Sequence, residues 1–402
     1  MPVKKKGQLF LITVSGPDHP GITSELMGLV SEYGHQIKDM GQAVTHGLLS
    51  LSFVIKIKSV DEQGHSPVIR ELLFAAKDLG LELGYEEIEK KEYERNSKPP
   101  SMFILNCVAV EHITPSFICD ISTILAHNKI NITRIEKVSP GAFTSLEVLT
   151  EVPDGHDMSK VKKDLMYAST SHGVDVAFLR DNVFRRSKRL IVFDMDSTLI
   201  QTEVIDEMAD AAGVGKNIRA ITELAMTGEM DFNESLLKRV NQLKGLKVEK
   251  LEEILERLPL TEGVPEFVKT VKSLGYKVAL ISGGFTFFAE ALKDRLGLDY
   301  AFANELEISN GTLTGEIVGS IVNAEQKATL LKLITQQESI SMEQVVAIGD
   351  GANDLPMLNA AGLGIAYHAK DVVKRQASQH MSHGPMTSIL YFLGIPGTLD
   401  KH

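Results

Sequence analysis

The chain has 402 residues, of which 43% are hydrophobic and 24% are charged, an ordinary composition for a globular protein. This length exceeds one ordinary core and indicates two or three domains. The net charge of -11 argues against general nucleic-acid affinity, and no apolar run approaches the roughly 18 residues of a membrane span. The two cysteines, Cys107 and Cys119, form no metal or disulfide pattern, which favours reduced thiols in a cytoplasmic protein.

The N-terminal half is a degenerate repeat of one α+β unit. Within residues 1–95 the hydrophobic pattern predicts strand, helix, two strands, helix and strand, and the same order recurs within residues 101–182. The order βαββαβ is the ferredoxin-like plan. Asn96–Pro100, a turn-prone stretch with two prolines, is predicted as the linker between the two copies.

The turn after the first strand, Gly16–Gly21, has the sequence Gly-Pro-Asp-His-Pro-Gly and resembles that of the ACT amino-acid-binding domain. The resemblance implies that an acidic residue and a glycine hold a small ligand here. Amides at a helix start suit a carboxylate and Asp18 suits an ammonium group, so Asp18 and Gly21 are candidate ligands for an L-serine effector. The alternative is an ordinary turn with a proline at the first helical position, and the sequence weighs the two evenly.

The corresponding turn of the second copy departs from this pattern. The segment His112–Ser116 lacks the glycine, and the acidic residue nearest to it after the strand is Glu111. We therefore expect the second copy to serve in packing or pairing rather than in ligand binding. Because ACT-like sheets often pair edge to edge in the family, a homodimer is expected.

The C-terminal part, residues 187–402, alternates apolar strand runs with helical patterns and predicts a Rossmann-like, doubly wound parallel sheet. From Glu203 to about Leu260 the pattern is helical throughout, which predicts a helical cap inserted after the first strand. The basic connector Asp181–Lys188 is interpreted as solvated, and His380 and His383 are interpreted as part of an exposed loop.

The first strand of this part ends in two carboxylates. The apolar run Leu190–Phe193 leads into Asp194 and Asp196, which are followed by two hydroxyl side chains. Such a run is typical of a strand buried in a parallel sheet, and ligands of these sheets bind at the carboxyl ends of strands. Two carboxylates on one side of an extended backbone require a cation or a shared proton. The alternative is a strand end followed by an Asp/Ser helix cap.

Further polar groups follow later apolar runs. Ser282-Gly283-Gly284 comes after a second run, Lys327 lies in a helical pattern, and a third run leads into Gly349–Asp354. In this order the segments resemble the haloacid dehalogenase superfamily of phosphoryl-transfer enzymes, and the forms D-x-D-S-T, S-G-G and G-D-G-x-N-D resemble its phosphoserine phosphatases. The resemblance covers about half of the chain, from roughly Ser187 onward, and implies the fold of that superfamily with a helical cap, preceded by two ACT domains.

The resemblance also implies a role for each polar residue. Asp194 would be the nucleophile that forms an aspartyl-phosphate, and Asp196 the general acid and then base. Asp194, Asp350 and the backbone carbonyl of Asp196 would bind Mg²⁺, while Asp354 would orient Lys327 or a metal-bound water. The remaining implied substrate contacts are Glu203 for the ammonium, Arg239 for the carboxylate, Met226 and Phe232 as an apolar cover, Ser282, the Gly283 amide and Lys327 for phosphate oxygens, and Asn353. For Met226 and Phe232, packing in the cap core is the alternative.

The expected activity is Mg²⁺-dependent hydrolysis of O-phospho-L-serine to L-serine and phosphate, the last step of serine biosynthesis, with the ACT domains regulatory. One alternative is the same fold acting on another small phosphate, such as phosphohomoserine, or transferring the phosphoryl group to an alcohol. A different alternative is an amino-acid sensor whose phosphatase half is inert. The intact motif residues argue against the sensor.

Overall fold

The computed structural model describes residues 8–57, 66–89, 101–142, 144–226, 229–377 and 379–397. The chain divides into two compact units, Met1–Pro99 and Pro100–His402. The predicted linker Asn96–Pro100 lies outside the described residues. None of the helices in the described ranges is long and apolar enough to cross a membrane.

The first unit is a four-stranded antiparallel sheet with two helices packed on it. The strand order is β2-β3-β1-β4, and the apolar sides of both helices share one core with the strands. The predicted order βαββαβ is confirmed. The strands are β1 Gln8–Pro17, β2 Gln36–Thr45, β3 Leu48–Ile57 and β4 Glu82–Ile88, and the helices are Ile22–Glu32 and Pro67–Asp78.

The second unit begins with the other copy of the same plan. Its antiparallel sheet has the order β6-β7-β5-β8 and also carries two helices on one core. The repeat expected from the sequence is therefore present in the structure. The strands are β5 Ser101–Ala109, β6 Asn131–Lys137, β7 Ser145–Val152 and β8 Val174–Arg180, and the helices are Pro115–His127 and Met158–His172.

A seven-stranded sheet with the order β12-β11-β10-β9-β13-β14-β15 forms the rest of the second unit. All neighbours are parallel except β11 and β12, which form an antiparallel hairpin at one edge. Alternate residues of β9 face two different cores, so both faces are covered. The strands are β9 Leu190–Phe193, β10 Lys277–Phe285, β11 Tyr300–Ser309, β12 Thr312–Val318, β13 Val345–Gly349, β14 Leu363–Tyr367 and β15 Gln379–Met381.

The predicted doubly wound sheet is thus confirmed, with an antiparallel edge strand that the alternating pattern did not predict. Helices cover both of its faces, and four further helices follow β9 as an insert. An isolated bridge between Ile200 and Leu260 joins the two ends of the insert. The insert helices are Val204–Ala211, Gly215–Met226, Phe232–Gln242 and Val248–Arg257, and those flanking the sheet are Val264–Ser273, Thr286–Leu296, Ala324–Gln337, Leu355–Ala360, Asp371–Gln376 and Ile389–Phe392.

The prediction of a solvated connector before β9 holds for Asp181, Val183 and Arg186, which are exposed, but is wrong for two of its cations. Arg185 and Lys188 are only 4% and 7% exposed. The Arg185 guanidinium donates to Glu147 on β7, and Lys188 Nζ donates to the Glu343 carbonyl at 2.6 Å. Sequence patterns do not reveal this because the partners lie far along the chain.

The prediction of an exposed loop near the C-terminus holds for His383, which is exposed, but is wrong for His380. His380 lies on β15 and is buried because β15 packs against β8 of the second repeat. The Asp175 carboxylate on β8 accepts the backbone N–H groups of Ser382, His383 and Gly384 at 2.6, 3.0 and 3.1 Å. The second repeat therefore packs on the seven-stranded sheet, in line with the packing role expected for it.

Candidate active site

Three neighbouring strands carry the candidate catalytic groups to one edge of the sheet. In the order β10-β9-β13, Asp194 follows β9, Ser282 lies near the end of β10, and Asp350 follows β13. Since the strands are parallel, their carboxyl ends meet at the same edge, where open α/β sheets bind ligands. The helix Ala324–Gln337 adds Lys327 to this group.

The Lys327 ammonium joins two carboxylates. Its Nζ donates to Asp194 Oδ1 and to Asp354 Oδ1, both at 2.7 Å. All three side chains are buried, so the hydrogen-bonded charges offset the cost of desolvation. Burial alone would lower the pKa of Lys327, but Asp194 and Asp354 raise it above its ordinary value. Lys327 therefore stays cationic and is placed to neutralise a phosphate.

Burial, reinforced by Asp354, raises the pKa of Asp194 against the opposing effect of Lys327. Burial and then Asp354 likewise raise the pKa of Asp350 to about 6. Both shifts come first from desolvation of the carboxylates and second from the like charge of Asp354. A bound cation would favour the ionised forms that a nucleophile and a ligand require.

The carboxylates form a group able to hold a divalent metal ion. Oxygens of Asp194, Asp350 and Asp354 all lie within 4.8 Å of one another. The set contains only hard oxygen donors, which suits Mg²⁺ or a similar ion. Thr198 Oγ1 orients Asp350 by donating to its Oδ1 at 3.1 Å.

Asp354 differs from the other two carboxylates because protein donors occupy both of its oxygens. Lys327 binds Oδ1, and the Gly351 amide donates to Oδ2 at 2.9 Å. A Cβ atom on Gly349 would lie 2.5 Å from that Oδ2, so a glycine is required for this close packing. The contacts agree with an orienting role for Asp354. Asn353 lies in the same turn, beside Gly351.

Asp196 occupies a different environment from Asp194. Ser197 has a left-handed φ of 56° and turns the chain after it. Asp196 Oδ1 accepts the Val204 amide at 2.8 Å, and Ser282 Oγ lies 3.5 Å from Oδ2. Burial and then the nearby Glu203 raise the pKa of Asp196 to about 8. The raised pKa favours the protonated carboxyl, the form that can donate a proton.

The loop Ser282–Gly284 packs tightly against these aspartates. The ladder between β10 and β11 is interrupted between Ile281 and Phe285, and the Gly284 amide donates to Ser282 Oγ at 2.8 Å. A Cβ atom on Gly284 would lie 2.8 Å from Asp196 Oδ2. The interrupted ladder therefore turns the loop toward the site, and glycine permits the contact.

The cap contributes an arginine surrounded by carboxylates. Burial lowers the pKa of Arg239, while Glu203, Asp206 and Asp196 act in the opposite direction. Its Nε donates to the Ser235 carbonyl at 3.4 Å, and Glu203 Oε1 accepts from Ser197 Oγ at 2.9 Å. The structure thus brings the expected ammonium and carboxylate ligands together beside Asp196.

The structure places the side chain of one of the two apolar residues predicted to cover the substrate, but does not describe that of the other. The Phe232 ring lies over the loop Ser282–Gly284. Its Cζ is 3.4 Å from the position that a Cβ atom on Gly283 would occupy. Met226 ends the helix Gly215–Met226, but its side chain is outside the described part of the structure. Phe232 is therefore placed to cover a substrate.

Sequence reasoning assigned no role to four polar residues that contact this site. Thr198 stood inside the D-x-D-S-T motif, so its spacing was a usable signal. Asp206 faces Arg239, and Asn323 caps the helix of Lys327. Asn304 had only a weak signal, as a polar residue directly after the apolar run Tyr300–Ala303.

The two ACT-type turns differ at the start of their first helix. In the first unit Gly21 has φ 106° and begins the helix without a side-chain cap, and Asp18 is exposed. In the second repeat Thr114 Oγ1 accepts the Phe117 amide at 3.3 Å. A side chain therefore already occupies a helix-start donor in the second repeat, while the first leaves this position open to a ligand.

Comparison with known proteins agrees with this architecture. Residues 188–362 match a family of haloacid dehalogenase-like hydrolases, and residues 8–86 and 107–179 each match an ACT domain. The strand-end carboxylates, the lysine and the cap thus define a haloacid dehalogenase-like hydrolase joined to two ACT domains.

Individual relatives indicate which family within this class the chain belongs to. A phosphoserine phosphatase of Mycobacterium tuberculosis is 37% identical over 96% of this chain and 93% of its own length. One of Archaeoglobus fulgidus is 49% identical over 64% of this chain and 74% of its own. The crystal structure of a probable phosphoserine phosphatase from Vibrio cholerae is 37% identical, covers 74% of this chain and 87% of its own, and has a TM-score of 0.59. The chain belongs to the phosphoserine phosphatase family.

Proposed function

We propose that this chain hydrolyses O-phospho-L-serine to L-serine and phosphate, as the last step of serine biosynthesis in the cytoplasm. The observation that carries the proposal is the hydrogen-bonded group of Asp194, Lys327 and Asp354, with Asp196 and Ser282 beside it. In this group Asp194 is suited to attack phosphorus, Lys327 to neutralise charge and Asp196 to transfer a proton. The names of the relatives support the choice of substrate.

In the proposed reaction Asp194 attacks phosphorus and the serine oxygen leaves. Lys327, Ser282 and the Gly283 amide hold the phosphate oxygens and oppose the growing negative charge. Asp196, with its raised pKa, gives its proton to the leaving oxygen and then accepts one from the water that hydrolyses the aspartyl-phosphate. Mg²⁺ held by Asp194, Asp350 and the Asp196 carbonyl would supply further positive charge.

Specificity is assigned to the cap. Arg239 is suited to a forked contact with the α-carboxylate, and Glu203 to the ammonium group. Phe232 would exclude water from the space above the loop Ser282–Gly284. The crowding of carboxylates around Arg239 supports a site for a zwitterionic substrate, because both signs of charge are present at the same place.

Regulation is assigned to the first unit. We propose that L-serine binds the turn containing Asp18 and Gly21, where the open helix start suits a carboxylate. We also propose that the chain acts as a homodimer, as expected from the pairing of ACT-type sheets in the family. Size-exclusion chromatography with light scattering tests the dimer.

The activity is tested by measuring phosphate release from O-phospho-L-serine with Mg²⁺ and with excess chelator. We expect turnover with Mg²⁺ that is lost with the chelator and recovered when Mg²⁺ is restored. Phosphohomoserine, an aryl phosphate and added alcohols serve as comparison substrates and acceptors. Faster turnover of phosphohomoserine, or transfer to alcohol in preference to water, would contradict the proposed reaction.

A further inference from the structure

Asn304 lies near the middle of β11. Both the nitrogen and the oxygen of its side-chain amide form hydrogen bonds next to the loop Ser282–Gly284, which we call the phosphate loop. Asn304 is 1% exposed. Its Nδ2 donates to the Gly283 and Gly284 carbonyls at 2.8 and 3.2 Å, and its Oδ1 accepts the Val322 amide at 2.8 Å. Three backbone groups from two separate segments therefore depend on one side chain.

The first segment is the loop that follows the interrupted ladder. Asn304 is paired in register with Phe285, whereas Ser282–Gly284 have no register partner on β11. Buried carbonyls that lose their strand partners need other donors. Asn304 supplies them to Gly283 and Gly284, and this fixes the peptide planes next to Ser282.

The second segment leads to the lysine. Val322 precedes Asn323, whose Oδ1 accepts the Gln326 amide at 3.0 Å and so caps the helix that carries Lys327. Asn323 also donates to Asn233 of the cap at 3.2 Å. Asn304 thus links the Ser282–Gly284 loop to the start of the Lys327 helix, and these are the two elements assigned to the phosphate.

We infer that Asn304 is a positioning residue that sets the spacing of the two phosphate-binding elements. It acts through backbone groups and need not touch the substrate. The inference rests on the proposed function for the identity of the phosphate ester, but phosphate binding can be measured without turnover. A misplacement of about 1 Å in such a site can lower turnover by roughly 100-fold.

The test is calorimetric binding of inorganic phosphate, with Mg²⁺ present, to the full chain and to two variants. Asn304→Ala removes all three hydrogen bonds, and we expect about tenfold weaker binding, equivalent to about 1.4 kcal/mol. Asn304→Asp is nearly isosteric and keeps the acceptor for Val322, but its carboxylate faces two carbonyls. We expect it to bind phosphate poorly at high pH and to recover at low pH, when the protonated carboxyl can donate.

Two controls separate positioning from general damage. Thr270→Val changes a buried hydroxyl that, in the described part of the chain, donates to the Glu266 carbonyl of its own helix, so it should lower the Tm without changing phosphate affinity. The competitive inhibition constant of L-serine, set by Glu203 and Arg239, should change less than twofold in the Asn304 variants.

Folded Asn304 variants that bind phosphate within twofold of the wild type at every pH would overturn the inference. Equal loss of phosphate and L-serine affinity would also overturn it, since a collapsed site weakens both. A wild type that binds phosphate but does not hydrolyse phosphoserine would refute the proposed function and leave the positioning role to be decided by the same titrations.

Discussion

The phosphatase site and the first ACT turn are both assigned to small charged ligands, but they are built differently. In the phosphatase site the charged groups are buried and already hydrogen-bonded to one another, as Lys327 is to Asp194 and Asp354. In the ACT turn Asp18 is exposed and Gly21 offers only backbone.

The difference in burial and hydrogen bonding suits the first site to catalysis and the second to regulation by a ligand. A preorganised site can stabilise developing charge without rearrangement, so each of its members should matter strongly. A ligand at the exposed turn takes no part in the reaction, so its effect on rate is limited to the difference in its affinity for two states of the enzyme. Substitutions in the first region should therefore strongly lower turnover or substrate affinity, and those in the second should change only the response of turnover to L-serine.

The largest effect is expected for Asp194→Asn. The amide is nearly isosteric but does not attack phosphorus, so turnover should fall by roughly 10⁴-fold or more. Steady-state phosphate release measures the loss. Asp299→Asn is the matched control, since Asp299 pairs with Lys272 and Lys277 away from the site, and it should retain near-normal turnover. Substantial activity in Asp194→Asn would exclude it as the nucleophile.

Asp196→Asn should slow the hydrolysis of phosphoserine by roughly 10²–10⁴-fold, the usual range for lost acid–base help. The loss should be smaller for an aryl phosphate, whose leaving group needs no proton. The ratio of kcat values for the two substrates is the quantity to compare. Equal losses would argue against leaving-group protonation by Asp196.

Arg239→Ala should raise the KM for phosphoserine far more than the KM for a phosphate ester without a carboxylate, because the guanidinium fork is lost. The neighbouring Lys238→Ala is the matched control. Lys238 is exposed and pairs with Glu234 on the same helix, so its removal should leave the selectivity ratio unchanged. An unchanged ratio in Arg239→Ala would remove that residue from the substrate site.

The smallest effect is expected at the first ACT turn. Gly21→Val should weaken the response of activity to L-serine while leaving turnover without serine within about twofold, because the side chain blocks close backbone approach. Asp18→Asn tests the same site without backbone strain. Gly34→Val is the strain control, since Gly34 also has a positive φ and follows the same helix. Serine responses identical to the wild type in both turn variants would mean that this turn is not a serine sensor.

The sequence predicted features that depend on residues close together in the chain, and it missed features that depend on residues far apart in the chain. Asp194, Asp196, Ser282 and Asp350 were found because each follows an apolar strand run directly, and parallel strands bring their carboxyl ends together. Repeated hydrophobic patterns likewise predicted both ferredoxin-like sheets. Local order was therefore enough for the architecture and for the strand-end groups.

The missed features depend on contacts between residues far apart in the chain. Asp175 binds Ser382, which is 207 positions away, and this contact anchors the segment in which His380 was expected to be exposed but is buried. Arg185 was expected to be solvated but pairs with Glu147. The role of Asn304 appears only when the ladder beside it is seen to be interrupted. No local pattern encodes these pairings.

The central claim is that phosphate passes from phosphoserine to Asp194, and rapid-quench trapping tests it most directly. Enzyme mixed with labelled phosphoserine and Mg²⁺ would be quenched in acid within milliseconds, digested and mapped by mass spectrometry. We predict label on the peptide containing Asp194, as an acyl phosphate that is released by hydroxylamine. Label on any other residue, or phosphate release with no trapped phosphoenzyme when Asp196→Asn is given a labelled aryl phosphate, whose leaving group needs no proton, would contradict the claim.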